Sequence, residues 1–285
     1  MSASGERRSR IWSRRSDRKP RAVAEAQHPA SASQSSSSGA IAIIPARLGS
    51  TRFPRKVLAD ATGKPLIQHV VEGAARASTV ERVIVATDSR EVVDAVARFR
   101  GVALLTAREH PNGTSRIGEA VALLRLPVLQ VVVNVQGDEP EIEPEVIDAC
   151  VRALIDTDSD IGTVASPMQN SEDAENPNIV KVVRGIDGRA LYFSRAPIPY
   201  DRDRSGGDEA RPLRHIGVYA YRVGFLRKYA ALPETALERV ERLEQLRALE
   251  HGYRISVAIQ ESRHSGVDTP EQYEAFVERW KARGG

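Results

Sequence analysis

Short apolar runs alternate with amphipathic stretches from Ile41 to Val135, and this alternation most constrains the fold. Ile41 to Ala46 reads as a buried strand, and Pro65 to Ala77 places apolar residues at 66/67, 70/71 and 74/75, a helical stripe. Arg82 to Asp88 predicts a second strand. Arg90 to Arg100 predicts a helix stopped by Gly101. Val102 to Thr106 and Thr114 to Leu126 repeat the pair, and Val128 to Val135 is the most apolar strand pattern of the chain. Strand following helix in this way predicts an α/β, doubly wound sheet whose parallel strands are joined by crossover helices.

The second half reads differently. Val180 to Arg184 and Arg189 to Phe193 flank Asp187-Gly188, a hairpin signal, and His215 to Tyr221 reads as another strand. Thr235 to His251 predicts one charged amphipathic helix ending before Gly252. Arg254 to Ile259 predicts a strand and Pro270 to Arg283 a closing helix. The expectation is a smaller mixed-strand insertion over about 180–233, after which the chain returns to the sheet.

Charge separates a tail from this body. Residues 1–39 hold eight basic and three acidic residues, a formal +5, whereas the whole chain carries +3, so the body is at −2. Six serines fall between Ser31 and Ser38, and apolar periodicity is missing. Such a segment cannot bury enough surface to offset its ordering entropy, so 1–39 is expected to be a disordered extension and 40–285 the folded domain. A solvated extension, a misassigned start and an address are alternatives for it; its acidic residues weaken a transit-peptide reading. A body without excess positive charge argues against a nucleic-acid partner. One cysteine, Cys150, excludes an intrachain disulfide and falls on an apolar helical stripe, so it is expected in the core. No run of residues is long and apolar enough for stable membrane insertion.

In an open α/β sheet, ligands bind beyond the carboxyl ends of the strands. The first strand runs into PARLGSTRFPRK, residues 45–56, where Arg47, Arg52 and Lys56 accompany Gly49 and the hydroxyls of Ser50 and Thr51. That composition suits a polyphosphate, with an exposed basic loop as the plain alternative. No G-x-x-x-x-G-K-[ST] occurs, and no G-x-G-x-x-G follows the first strand, which disfavours P-loop and dinucleotide-binding proteins. The strongest strand runs into NVQGDEP, where Gly137 allows a tight turn and Asp138 can hold a divalent cation. Asp138 also suits a turn, and Asp268 also suits a cap for the last helix. If both serve one metal, the last strand has to return beside the strand ending at Asn134. His215 and Tyr219, four apart on a strand, share a face, a pattern equally met in a hydrogen-bonded core pair. Glu244-Gln245 lies in a charged run that equally suits a solvated helix face.

The strings PARLGSTRFPRK, NGTSR, NVQGDEP, ALYFSRAPIP, RHIGVYAY, LERVERLEQLR and GVDTPE occur together and in this order between Ile41 and Trp280. In them the chain resembles the 3-deoxy-manno-octulosonate cytidylyltransferase (CMP-Kdo synthetase) family. The resemblance implies a sugar-nucleotidyltransferase sheet with a dimerising insertion, in a cytoplasmic homodimer. It implies transfer of CMP from CTP to Kdo with Mg²⁺, giving CMP-Kdo for lipopolysaccharide biosynthesis and pyrophosphate. It implies nucleotide contacts from Arg47, Ser50, Arg52, Lys56, Gly113, Thr114 and Arg116, and metal ligation by Asp138 and Asp268. Arg47, Lys56 and the two aspartates would carry catalysis. Gln136, His215, Tyr219, Glu244 and Gln245 would line the sugar-acid pocket. Arg55 stands where the family often has glycine. Related readings are a synthetase for 8-amino-Kdo or a sialic acid, or a catalytically silent relative. The presence of Arg47, Lys56, Asp138 and Asp268 disfavours the silent relative.

Overall fold

The computed structural model describes residues 39–49, 52–168, 172–203, 207, 211–263 and 266–284, which fall within one unit of the chain. The first half follows the alternation closely. Strand β1 (Ala40–Ala46) leads through a 3-10 turn at Lys56–Leu58 to α1 (Leu66–Ala75), and β2 (Val80–Thr87) to α2 (Arg90–Arg98). Then β3 (Ala103–Leu105) leads to α3 (Gly113–Leu123), and β4 (Val131–Asn134) to α4 (Pro144–Ile155). The chain continues through β5 (Ile161–Pro167), α5 (Glu172–Glu175), the hairpin β6 (Lys181–Arg184) and β7 (Ala190–Ser194), and the long β8 (Leu213–Arg222). It closes with α6 (Val223–Tyr229), α7 (Ala236–Glu241), α8 (Gln245–Glu250), β9 (Ile255–Ile259) and α9 (Pro270–Ala282).

The main sheet runs β3-β2-β1-β4-β8-β5-β9. Neighbours are parallel except that β8 lies antiparallel to both β4 and β5. Alternation along β1 divides the core between two faces. Ala42 and Ile44 pack with Val70 of α1, Val96 of α2 and Val146 of α4. Ile41 and Ile43 pack on the other face with Ile117 of α3, Leu226 of α6 and Leu246 of α8. Helices thus cover both faces, which is why the central parallel strand β1 is apolar along its whole length. Cys150 lies in the first of these clusters, where burial pushes its thiol up.

Four expectations are corrected. The stop after α2 is made by Arg100, at φ 62, and not by Gly101. The apolar run 128–135 does not pair along its whole length. Gln130 N–H turns back to the Pro127 carbonyl, and the Val128 carbonyl accepts from Gly224, so Leu129 is left 76% exposed and β4 begins only at Val131. The helix expected over 235–251 is broken at Arg242, which sits at φ 55. Leu243 N–H donates back to Glu238 O, and the Glu238 carboxylate takes a forked pair from Arg247 at 2.6 and 2.8 Å, folding α8 back over α7. Finally, residues 180–233 do not form a body apart from the sheet. Among the described strands only β6 and β7 lie off its path, as the hairpin predicted around Asp187-Gly188, whereas β8 is central and α6 packs in the core.

Candidate active site

The carboxyl ends of β1, β3 and β4 open onto a cleft of about 440 Å³, lined among others by Arg47, Arg52 and Lys56 after β1, Arg116 of α3, Asp138 after β4 and Asp268 after β9. Close backbone approach shapes its floor. A Cβ on Gly137 would meet the Pro45 carbonyl oxygen at 2.8 Å, so only glycine lets the loop after β4 lie against the end of β1. Gly137 has no positive φ, so the requirement is space and not the tight turn expected from sequence.

Asp138 and Asp268 meet in this cleft, though not by the expected route. β9 pairs with β5, two strands away from β4. The loop after β9 crosses back instead, and Val267 N–H donates to the Asp138 carbonyl at 2.8 Å. Asp268 does not cap α9. Thr269 is the N-cap, its hydroxyl accepting from Gln272 N–H at 3.3 Å, which leaves the Asp268 carboxylate free for other partners. Those partners are Lys56 Nζ at 2.9 Å and Arg52 at 3.1 Å. Lys56 Nζ also donates to Asp138 Oδ2 at 2.7 Å and to the Val267 carbonyl at 3.0 Å. Burial pushes the Asp138 carboxyl above its ordinary range, and the adjacent Lys56 ammonium opposes that shift.

The two carboxylates suit a divalent cation. Both already converge on one positive centre, the Lys56 ammonium, and among the described residues no cluster of three or more His, Cys, Asp or Glu forms a closed metal cage. Mg²⁺ is commonly held by one or two carboxylates with substrate phosphates completing its shell. Asp138 and Asp268 fit that donor set.

The other residues that the resemblance assigns to the nucleotide differ in placement. Arg47 lines it and is exposed. Ser50 lies outside the described residues. Gly113 opens α3 behind Asn112, whose Oδ1 accepts from Ser115 N–H at 2.8 Å. Arg116 is buried at the wall, donating to Thr106 Oγ1 at 2.6 Å and Ala107 O at 3.0 Å, with Asp88 at 3.3 Å. His110 also lines the cleft, a residue not assigned from sequence. Both its ring nitrogens are engaged, with Ser115 Oγ at 3.1 Å and Glu119 at 2.6 Å, so it buttresses the wall.

A smaller chamber of about 60 Å³ adjoins the cleft, sharing Gly113 and Gln136 with it. It is lined by Tyr219, Glu244 and Gln245, which the resemblance assigns to the sugar acid, by Thr114, which it assigns to the nucleotide, and also by Asn134, Tyr221 and Tyr229. The break at Arg242 is what brings Glu244 and Gln245 here. Tyr229 donates to the Glu244 carbonyl at 2.7 Å and Thr114 to its carboxylate at 3.2 Å. Burial raises Glu244 to about 7. Asn134 is 2% exposed and its Oδ1 has no hydrogen-bond partner among the described residues, the mark of a site that awaits a polar group. Sequence periodicity shows Asn134 only as the end of a strand. Tyr221 is there the end of a strand, and Tyr229 carries no signal. His215 lines neither space. It is 9% exposed, bonded through Nε2 to Thr163 Oγ1 at 2.9 Å, and packed edge-on against Phe193. Burial lowers it to about 3, so it is neutral, and its contact with this chamber is through Tyr219, 5.3 Å away between ring centres.

Comparison with known proteins places the chain in a family. The cytidylyltransferase family profile matches residues 41–255. A 3-deoxy-manno-octulosonate cytidylyltransferase of Syntrophobacter fumaroxidans is 51% identical over 238 residues, covering 83% of this chain and 95% of that protein. One from Polynucleobacter necessarius is 50% identical over 236 residues, covering 82% and 92%. The solved structure of a CMP:2-keto-3-deoxy-manno-octonic acid synthetase complexed with CTP superimposes with a TM-score of 0.80 at 39% identity, over 86% of this chain and 100% of that one. A 4-diphosphocytidyl-2C-methyl-D-erythritol synthase, 15% identical with a TM-score of 0.56, shares the fold. The chain belongs to the cytidylyltransferase family and, within it, to the 3-deoxy-manno-octulosonate cytidylyltransferases.

Proposed function

We propose that the cleft binds CTP and that the protein transfers CMP from it to the anomeric hydroxyl of Kdo, releasing pyrophosphate. The observation that carries this reading is the meeting of Lys56, Asp138 and Asp268 from three remote segments at the carboxyl edge of the sheet. The attacking hydroxyl oxygen bonds to the α-phosphorus, the bond to the β-phosphate bridge breaks, and the hydroxyl proton is released. Charge builds on the phosphoryl oxygens and the leaving pyrophosphate, and preorganised cations stabilise it without a protein nucleophile. Arg47 and Arg52 line the cleft with donors for the triphosphate. Asp138 and Asp268 would hold Mg²⁺, which when bound supplies positive charge to the phosphate oxygens. Gly113 and the wall held by Arg116 would receive the cytidine.

The sugar acid lies where the cleft meets the chamber, against Gln136. The chamber, about 60 Å³, is small beside the 440 Å³ cleft, so only part of the sugar enters it. There Asn134 Oδ1, Glu244 and Gln245 meet hydroxyl groups. His215 acts behind Tyr219 as its packing partner. Unpaired polar groups in this chamber would penalise a sugar lacking matching hydroxyls. Pyrophosphate release measured with CTP, Mg²⁺ and a panel of sugar acids tests the reading. Kdo should give the highest kcat/KM, and comparable values for a sialic acid would overturn the assignment of the pocket.

The working form in this proposal is a cytoplasmic homodimer. Ile186, Leu191 and Tyr200, all in the region of the β6–β7 hairpin, are exposed and offer apolar surface for a second copy. No described helix is long and apolar enough to cross a membrane.

A further inference from the structure

An ammonium group has three N–H donors. In Lys56 all three have acceptors, namely Asp138 Oδ2 at 2.7 Å, Asp268 Oδ1 at 2.9 Å and Val267 O at 3.0 Å. The Lys56 side chain is only 11% exposed, although it sits on the wall of the cleft. In this arrangement Lys56 has no proton left for a phosphate oxygen. It also occupies the point on which both carboxylates converge, and two cations cannot share that point.

We propose that Lys56 is a resident cation that closes the divalent-metal position until a nucleotide arrives. The triphosphate competes for the ammonium, Lys56 turns from the aspartates to the phosphates, and the vacated carboxylates accept the metal together with the nucleotide. The ammonium thus holds Asp138 and Asp268 together in the nucleotide-free protein, where they would otherwise repel each other. The flexible four-carbon stem of lysine and its position at the start of the 3-10 turn allow this movement without unfolding the loop. The inference rests on the metal and nucleotide reading above and adds to it an order: metal enters with CTP and not before.

Mn²⁺ binding followed by electron paramagnetic resonance tests this on the full chain, without turnover. Nucleotide-free wild type should bind Mn²⁺ at least tenfold more weakly than nucleotide-free Lys56→Met, whose paired carboxylates lack their cation. Lys56→Gln should behave like Lys56→Met and serves if the first variant does not fold. Adding Asp138→Asn to either variant should abolish the gain. Equal Mn²⁺ affinity of wild type and a folded variant would overturn the proposal. So would nucleotide-free wild type binding Mn²⁺ as tightly as it does beside CTP. Wild type that takes no Mn²⁺ even with CTP would overturn the functional reading instead, and the nucleotide-free comparison would still decide the role of Lys56.

Discussion

Asp268 and Thr269 are adjacent, yet the structure gives them separate work. Thr269 caps α9, so Thr269→Ala should lower unfolding free energy by about 1 kcal/mol and leave kcat close to wild type. Asp268 contributes charge to the cleft and no cap. Asp268→Asn should lower kcat by orders of magnitude with little loss of stability, as should Asp138→Asn. The double variant should be far less impaired than the product of the two, because groups that act as one unit fail together. Steady-state rates at saturating Mg²⁺ beside thermal melts separate these outcomes. Near-normal turnover of Asp268→Asn would remove it from the site. Glu244 gives a pH signature. Its carboxyl is raised to about 7 by burial, so the folded state holds the proton more tightly than the unfolded one. Its contribution to stability is full below its unfolded value, and it is lost as pH rises through about 7. Glu244→Gln should therefore flatten the stability profile between pH ~5 and ~7.5, a change on the order of 2 kcal/mol in a group still open to the chamber. Denaturant midpoints across that range measure it.

At the scale of elements, what the sequence made legible follows from period and punctuation. β1, β2, α1, α2 and the hairpin around Gly188 announce themselves because each has one periodicity and a turn at its end. The broken helix does not. The stretch 235–251 has the composition of a single helix, and only the Glu238–Arg247 ion pair and the left-handed Arg242, neither visible as a pattern, turn it into α7 and α8. The same holds for the site. Arg47, Lys56 and Asp138 follow strand ends and could be proposed from position alone. Asn134 and His110 could not, since one looks like the end of a strand and the other lies in a loop without a ligand motif. His215 shows the reverse: its face-sharing with Tyr219 is legible, but its burial behind that ring depends on β7 and Phe193. Packing between elements gives a further expectation. A Cβ on Gly162 would lie 2.5 Å from the Cys150 carbonyl oxygen and 2.8 Å from Leu154 N, both backbone atoms of α4. Gly162→Ala should push α4 off β5 and cost about 1–3 kcal/mol in chemical denaturation.

In the proposed function the carboxyl edge of the sheet would carry the chemistry and the β6–β7 hairpin the association of two copies. Residues 1–38 carry no apolar periodicity, so a chain starting at Gly39 should retain its kcat/KM and lose less than ~1 kcal/mol of stability. If the exposed apolar side chains near the hairpin seat a second copy, sedimentation should show a species of twice 31.2 kDa, and Leu191→Glu should shift it to the single-chain mass. A single-chain species from wild type at micromolar concentration would count against that interface.

The central place of β8 sets the order in which the chain can become a protein during synthesis. β4 and β5 emerge from the ribosome long before residue 213, yet both need β8 to satisfy their facing backbone groups. Until then the growing chain carries one unpaired edge on β4 and two on β5, whose other partner β9 comes later still, and such edges invite pairing with other nascent chains. Its sheet closes late, across long sequence separations, so folding should be slow for its size and sensitive to crowding of unfinished copies. A chain ending at Pro212 should aggregate and lack fixed aromatic circular dichroism, even though it contains most of the loops proposed to bind the nucleotide.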